Sequence, residues 1–210
     1  MEKLPAITRR YGTTSAVVHY AAFSLLCRAL TGHEAAIFLT PVSLRTPTLP
    51  AGVLGPLTEF MPFAYEAKAH FTTKDLMEAT SRHLGFLLAH AWTPLSVLAR
   101  SYAPGQENEP LPFSSVGFTT VEGNADVPHD GGLNVASWPI PRRYGLFETY
   151  FAVANLSGNG SVLIDYHTGA LSDDDAELLY HGYMHALNFL CAEDRTVNEF
   201  SLSHTMESRS

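Results

Sequence analysis

Apolar positions between Ala16 and Leu30 recur with a helical period, with Val17, Tyr20, Ala21, Ser24 and Leu25 on one face. Gly12-Thr13-Thr14-Ser15 supplies N-cap residues before them and Gly32 a C-cap after, so a helix is predicted here. Ala36 to Val42 is a short continuous apolar run and reads as a buried strand, and Leu54 to Tyr65 as a second extended segment. Thr72-Thr73-x-Asp75 caps a further helix reaching about Ala91, with Leu76, Thr80, Leu84, Leu87 and Leu88 along its apolar side. Pro94 restarts a short helix that ends by Pro104-Gly105.

Beyond a Pro-rich loop at 104–112, Phe113 to Val121 is strand-like and Leu133 to Ile140 is extended. Phe147–Leu156 and Val162–Tyr166 flank Ser157-Gly158-Asn159-Gly160, a hairpin signal. Ser172, with Asp175 three positions on, caps the last helix, which runs to about Ala192 and buries Ala176, Leu179, Tyr180, Tyr183, Leu187 and Leu190. Residues 196–210 are polar and read as a frayed, flexible tail behind a single domain over 1–195. The order implies an α/β fold: a mixed sheet with helices packed on one face.

Composition narrows the function. Of 210 residues 46% are hydrophobic and only 16% charged, against roughly 25% in average soluble chains. Such a surface is apolar or covered by something else. The net charge of -8, with no Lys/Arg cluster, argues against nucleic acid or an anionic membrane as partner. No signal peptide or membrane-length apolar run is present, so a cytoplasmic location is expected. Cys27 and Cys191, without CxxC spacing, read as buried free thiols.

Several segments, in order, resemble the C-terminal half of nonribosomal peptide synthetase condensation domains, which are built from two lobes similar to chloramphenicol acetyltransferase. Leu30-Thr31-Gly32 and Phe38 to Val42, with Arg45 after them, fit its opening helix and strand. Leu54 to Phe63 is similar to the family's "(I/V)GxFVNTLPLR" strand, His90 to Leu95 to "HQDYPF", and Pro112 to Phe118 to "PLFQVMF". Phe147-Glu148 stands where the family has "FDL", Asp165 to Ser172 resembles "YNTDLFD", and His185 to Leu190 follows the closing helix. Glu59 replaces the family's Asn, Ala64 its Arg, and Ala91-Trp92 its Gln-Asp.

The resemblance implies a lobe that forms one wall of an acyl-transfer tunnel. It also implies a floor loop at about 43–55 and a latch at about 122–147 that reach toward the other lobe. Thr58, Glu59, Met61, His90 and Trp138 are then the tunnel or interface candidates. Expected partners are an N-terminal lobe and peptidyl or acyl carrier proteins bearing phosphopantetheine thioesters; no cofactor or metal is expected.

The family's catalytic motif, His-His-x-x-x-Asp-Gly, supplies the base for acyl transfer from the N-terminal lobe. None of the ten histidines here fits it; Val127-Pro128-His129-Asp130-Gly131-Gly132 has the wrong spacing and no second His. The isolated chain is therefore expected to be inactive, and amide or ester formation to require the second lobe. A non-catalytic module that binds carrier proteins or tailoring enzymes is the alternative, and a self-associating enzyme with a shared site a third. His181 and His185 sit four apart on a helix, but no third metal ligand is identifiable. No GxSxG elbow accompanies Ser114-Ser115 or Ser157, which argues against a serine hydrolase.

Overall fold

The structure, a computed structural model, describes residues 4–45, 52–102, 115–123, 145–156, 159–192 and 194–202. Its elements in order are α1 (Leu4–Tyr11), α2 (Ser15–Thr31), β1 (Ala35–Ser43), β2 (Thr58–Glu66), α3 (Thr73–Ala89), α4 (Leu95–Tyr102), β3 (Val116–Gly123), β4 (Thr149–Leu156), β5 (Asn159–Tyr166) and α5 (Asp173–Cys191), followed by a 3-10 turn, Val197–Glu199.

Capping chemistry sets the helix boundaries. Thr14 accepts the Val17 amide at 3.3 Å, and Gly32, at φ 73, donates its own amide to Arg28 to close α2. Thr72 with Asp75 and Ser172 with Asp175 form reciprocal capping boxes at α3 and α5. In both boxes, hydrogen bonds from the cap residue's backbone and side chain hold the aspartate below its ordinary pKa.

The five strands form one mixed sheet in the order β2-β1-β3-β4-β5. β1 pairs antiparallel with β2 along its full length, and β3, β4 and β5 pair continuously, β3 with β4 in parallel. β1 and β3 are joined in parallel by the single pair Leu39–Gly117. One face carries Phe38 opposite Phe63, Thr40 opposite Met61, and Phe118 beside Phe151. Against it α2 lays Phe23, stacked on Phe118 at 4.3 Å, and Tyr20, edge-on to the same ring at 4.9 Å. α5 adds Tyr183, 4.8 Å from Phe151.

Burial pushes the Tyr20 hydroxyl, bonded to that of Thr40, up to about 12. Tyr183 also accepts or donates a 2.6 Å bond with Nδ1 of His19, both side chains being buried. Leu54 and Leu146 aside, exposed large apolar side chains include Phe86, Leu88 and Trp92 around the end of α3.

Several expectations are corrected. α2 is buried on all sides from Val17 to Leu26, because α1, α3 and α5 clasp it as well as the sheet. Leu88 and Tyr180, expected inside, are 60% and 40% exposed. Cys27 and Cys191 are half-buried rather than buried, with burial pushing the Cys27 thiol up to about 12. β2 begins only at Thr58; the stretch ahead of it is held as a loop by Arg45, whose guanidinium donates to the carbonyls of Val53 (3.2 Å) and Gly55 (3.4 Å). β4 starts at Thr149, since Phe147 turns out of the strand path, and β5 already starts at Asn159.

The expected flexible tail is docked at its start: Thr196 bridges Thr72, the Val197 amide donates to Phe71 at 2.8 Å, and Val197 and Phe200 are buried. Residues 46–51 of the expected floor loop, 124–144 of the expected latch with the strand expected at Leu133–Ile140, residues 157–158 of the expected hairpin turn and residues 203–210 lie outside the described residues.

Candidate functional site

Strand alternation gives the sheet a second face, opposite the helices. It carries Ile37 and Leu39, Phe60 and Pro62, Gly117, Thr119 and Val121, Tyr150 and Ala152, and Leu163. Ile37, Val121 and Leu163 are 42%, 46% and 42% exposed. Among the described residues its charges are Glu66 and Asp165, both on edge strands, and it carries no histidine. An apolar sheet face of this kind is suited to contact with further apolar surface.

At its centre three rings form a rack. Phe60 meets Phe147 edge-on at 5.3 Å, and Phe147 stacks on Tyr150 at 5.4 Å. The rack closes over Gly117: a Cβ there would lie 2.5 Å from the Tyr150 ring and 3.1 Å from that of Phe147. Sequence reading placed Phe60 and Phe147 in family-like segments but made none of these rings a site candidate; the usable signal was a glycine inside a strand, which often marks a close approach.

The expected site residues fall in different places. Thr58 is exposed at the start of β2, opposite Ser43, on the open face. Glu59 points to the helical side, where its carboxylate accepts the Leu95 amide at 3.5 Å, at the positive end of α4. Met61 is a core residue, 5% exposed. His90 closes α3: its Nδ1 bonds the Phe86 carbonyl at 2.7 Å and its ring stacks on Phe86 at 4.1 Å, an exposed structural contact. Trp138 and His129 lie outside the described residues. His185 packs on Phe200 and His181 faces Glu177 at 3.7 Å, so the two imidazoles have separate neighbours. Among the described residues no group of three or more His, Cys, Asp or Glu is arranged to hold a metal ion, and no helix is long and apolar enough to cross a membrane.

A five-stranded mixed sheet with its helices on one face is the chloramphenicol acetyltransferase-like architecture of condensation-domain lobes. Solved condensation domains share it. The first condensation domain of the calcium-dependent antibiotic synthetase, in complex with a substrate analogue, superposes with a TM-score of 0.73 at 18% identity, over 96% of this chain and 44% of its own. The four-domain nonribosomal peptide synthetase holo-AB3403, bound to AMP and glycine, gives 0.80 at 16% identity over 96% of this chain and 16% of its own. The X-domain in complex with OxyB from teicoplanin biosynthesis gives 0.75 at 15% identity over 95% and 45%. The chain thus spans less than half the length of these proteins and has the fold of one lobe. No protein-family profile and no curated protein matches the sequence.

Proposed function

We propose that this chain is the C-terminal lobe of a condensation-type acyltransferase, competent for amide or ester formation between carrier-bound substrates only beside an N-terminal lobe bearing His-His-x-x-x-Asp-Gly. The observation that carries this reading is the pairing of a one-lobe fold with an apolar sheet face that the described residues leave partly exposed. The order of the sequence segments selects the C-terminal lobe. In this role the open face would wall the tunnel, and the 43–55 and 122–147 segments would reach across to the other lobe. The reacting base would come from the partner lobe, and the phosphopantetheine arm would arrive with the carrier protein.

A non-catalytic binding module is the second reading. It is favoured by the likeness to an X-domain, which was solved with OxyB bound, and by the substitutions at Glu59 and Ala64. Light scattering of the chain mixed with a motif-bearing N-terminal lobe, and pull-down with carrier proteins in its presence and absence, separates the two. A one-to-one complex supports the lobe reading. A monomer that ignores the lobe yet retains a carrier protein supports the binding module.

A further inference from the structure

The described sheet ends in two edge strands, β2 and β5, and the two edges differ. The Leu44 amide donates to the Leu57 carbonyl at 2.8 Å and the Ala67 amide to the Glu34 carbonyl at 2.7 Å, both in register with the β1–β2 ladder. Odd-numbered residues of β2 therefore bond β1, and even-numbered ones turn their backbone groups outward. Pro62 stands at the centre of that outward set and has no N–H. Glu59 and Glu66 add charge to the same strand, so β2 is a blunted edge.

β5 has no such protection. The His167 amide donates to the Glu148 carbonyl at 2.8 Å, one step beyond the pair Thr149–Tyr166 that ends the ladder. By the same alternation Ser161, Leu163 and Asp165 bond β4, while Gly160, Val162, Ile164 and Tyr166 direct their backbone groups outward. No described residue hydrogen-bonds those outward amides and carbonyls. From Gly160 to Tyr166 there is no Lys, Arg or Pro, and Asp165 is the one charge.

We infer that β5 pairs with β5 of a second copy of this chain, antiparallel about a two-fold axis at Leu163, joining the two sheets into one. In this register Val162 faces the partner's Ile164 and Gly160 the partner's Tyr166, each pair exchanging backbone N–H to carbonyl bonds. The tyrosine ring then covers the bare glycine. On the other sheet face Leu163, 42% exposed, meets its own copy, and the Ser161 hydroxyl lies opposite the partner's Asp165 carboxylate. An axis at Val162 or Ile164 would set Leu163 against Ser161 or Asp165, and an axis at Asp165 would oppose two like charges. Only the axis at Leu163 matches apolar with apolar and donor with carboxylate. The contact is made by one strand edge, so the dimer is a weak one. It is independent of the acyl-transfer reading, because it needs only the free edge of β5.

Sedimentation velocity of the full chain from about 1 µM to about 1 mM tests it, with a concentration-dependent shift from monomer to dimer expected. Leu163→Lys and Leu163→Glu each place like charges across the axis and should each weaken self-association at least about tenfold; an equimolar mixture of the two should restore it. Ile37→Lys, at a position equally exposed on the same sheet face but on β1, should change nothing. Equal melting temperatures will show that the variants are folded. A monomer throughout the range, a dimer indifferent to both Leu163 variants or dissolved by Ile37→Lys, or a mixture no better than its parts overturns the inference. So does protection of the Val162 and Ile164 amides from hydrogen exchange only when a motif-bearing N-terminal lobe is added, which would give the edge to that lobe.

Discussion

The Phe60 ring on β2 touches the Phe147 ring ahead of β4 at 5.3 Å, although β1 and β3 lie between their strands. The contact spans the β1–β3 join, which holds by one residue pair, and it requires that Gly117 have no side chain beneath it. Gly117→Ala should therefore destabilise the fold by about 1–3 kcal/mol, as overpacking does. Tyr150→Ala in the same chain removes the nearest ring and should recover part of that loss. Urea unfolding of the single and double variants measures it.

Tyr183→Phe removes the hydroxyl that lies 2.6 Å from Nδ1 of buried His19 while keeping the ring against Phe151. A buried ring nitrogen deprived of this partner should cost about 1–3 kcal/mol. Thermal unfolding with unchanged far-UV circular dichroism would isolate the hydrogen bond from any change of fold.

The capping aspartates set a direction for acid sensitivity. Asp75 and Asp175 have folded pKa values below their unfolded ones, because the Thr72 and Ser172 backbone and side chains bond the carboxylates. Their stabilisation is complete above the unfolded carboxylate value, about 4, and is lost as pH falls through the depressed folded value. Unfolding midpoints measured from neutral to acid pH should drop in that window. The Asp75→Asn, Asp175→Asn double variant should start lower at neutral pH and show a shallower acid drop.

The segment after α5 should behave as part of the domain. The amides of Val197 and Asn198 donate to Phe71 and Ala69 at 2.8 and 3.2 Å, and Phe200 is 4% exposed between His185 and Phe189. Hydrogen exchange should find both amides protected, and Phe200→Ala should cost about 3–5 kcal/mol.

Local chemistry made much of the fold legible from sequence. Thr14 and Gly32, Thr72 with Asp75, and Ser172 with Asp175 each terminate a helix through neighbours within a few residues, so their pattern alone predicts the boundary. α1 was not anticipated, because LPAITRRY buries only Leu4 and Ile7 and docks through tertiary contacts. The polar run after Arg195 concealed Val197 and Phe200, whose burial depends on α5 and the loop before α3. Long-range geometry hid the candidate site in the same way: Phe60, Gly117 and Phe147 come together only when four strands are in register. Met61 was misplaced because a strand's two faces alternate residue by residue, and only its pairing with Thr40 puts it inside.

Mass spectrometry of acyl transfer between two carrier-bound thioesters tests the central claim most directly, with this chain alone, a motif-bearing N-terminal lobe alone, and the two combined. Product formed only in the combined reaction, and abolished by changing the second histidine of the partner lobe's motif, is the predicted result. Product from this chain alone, or none from an assembled pair of lobes, would contradict it.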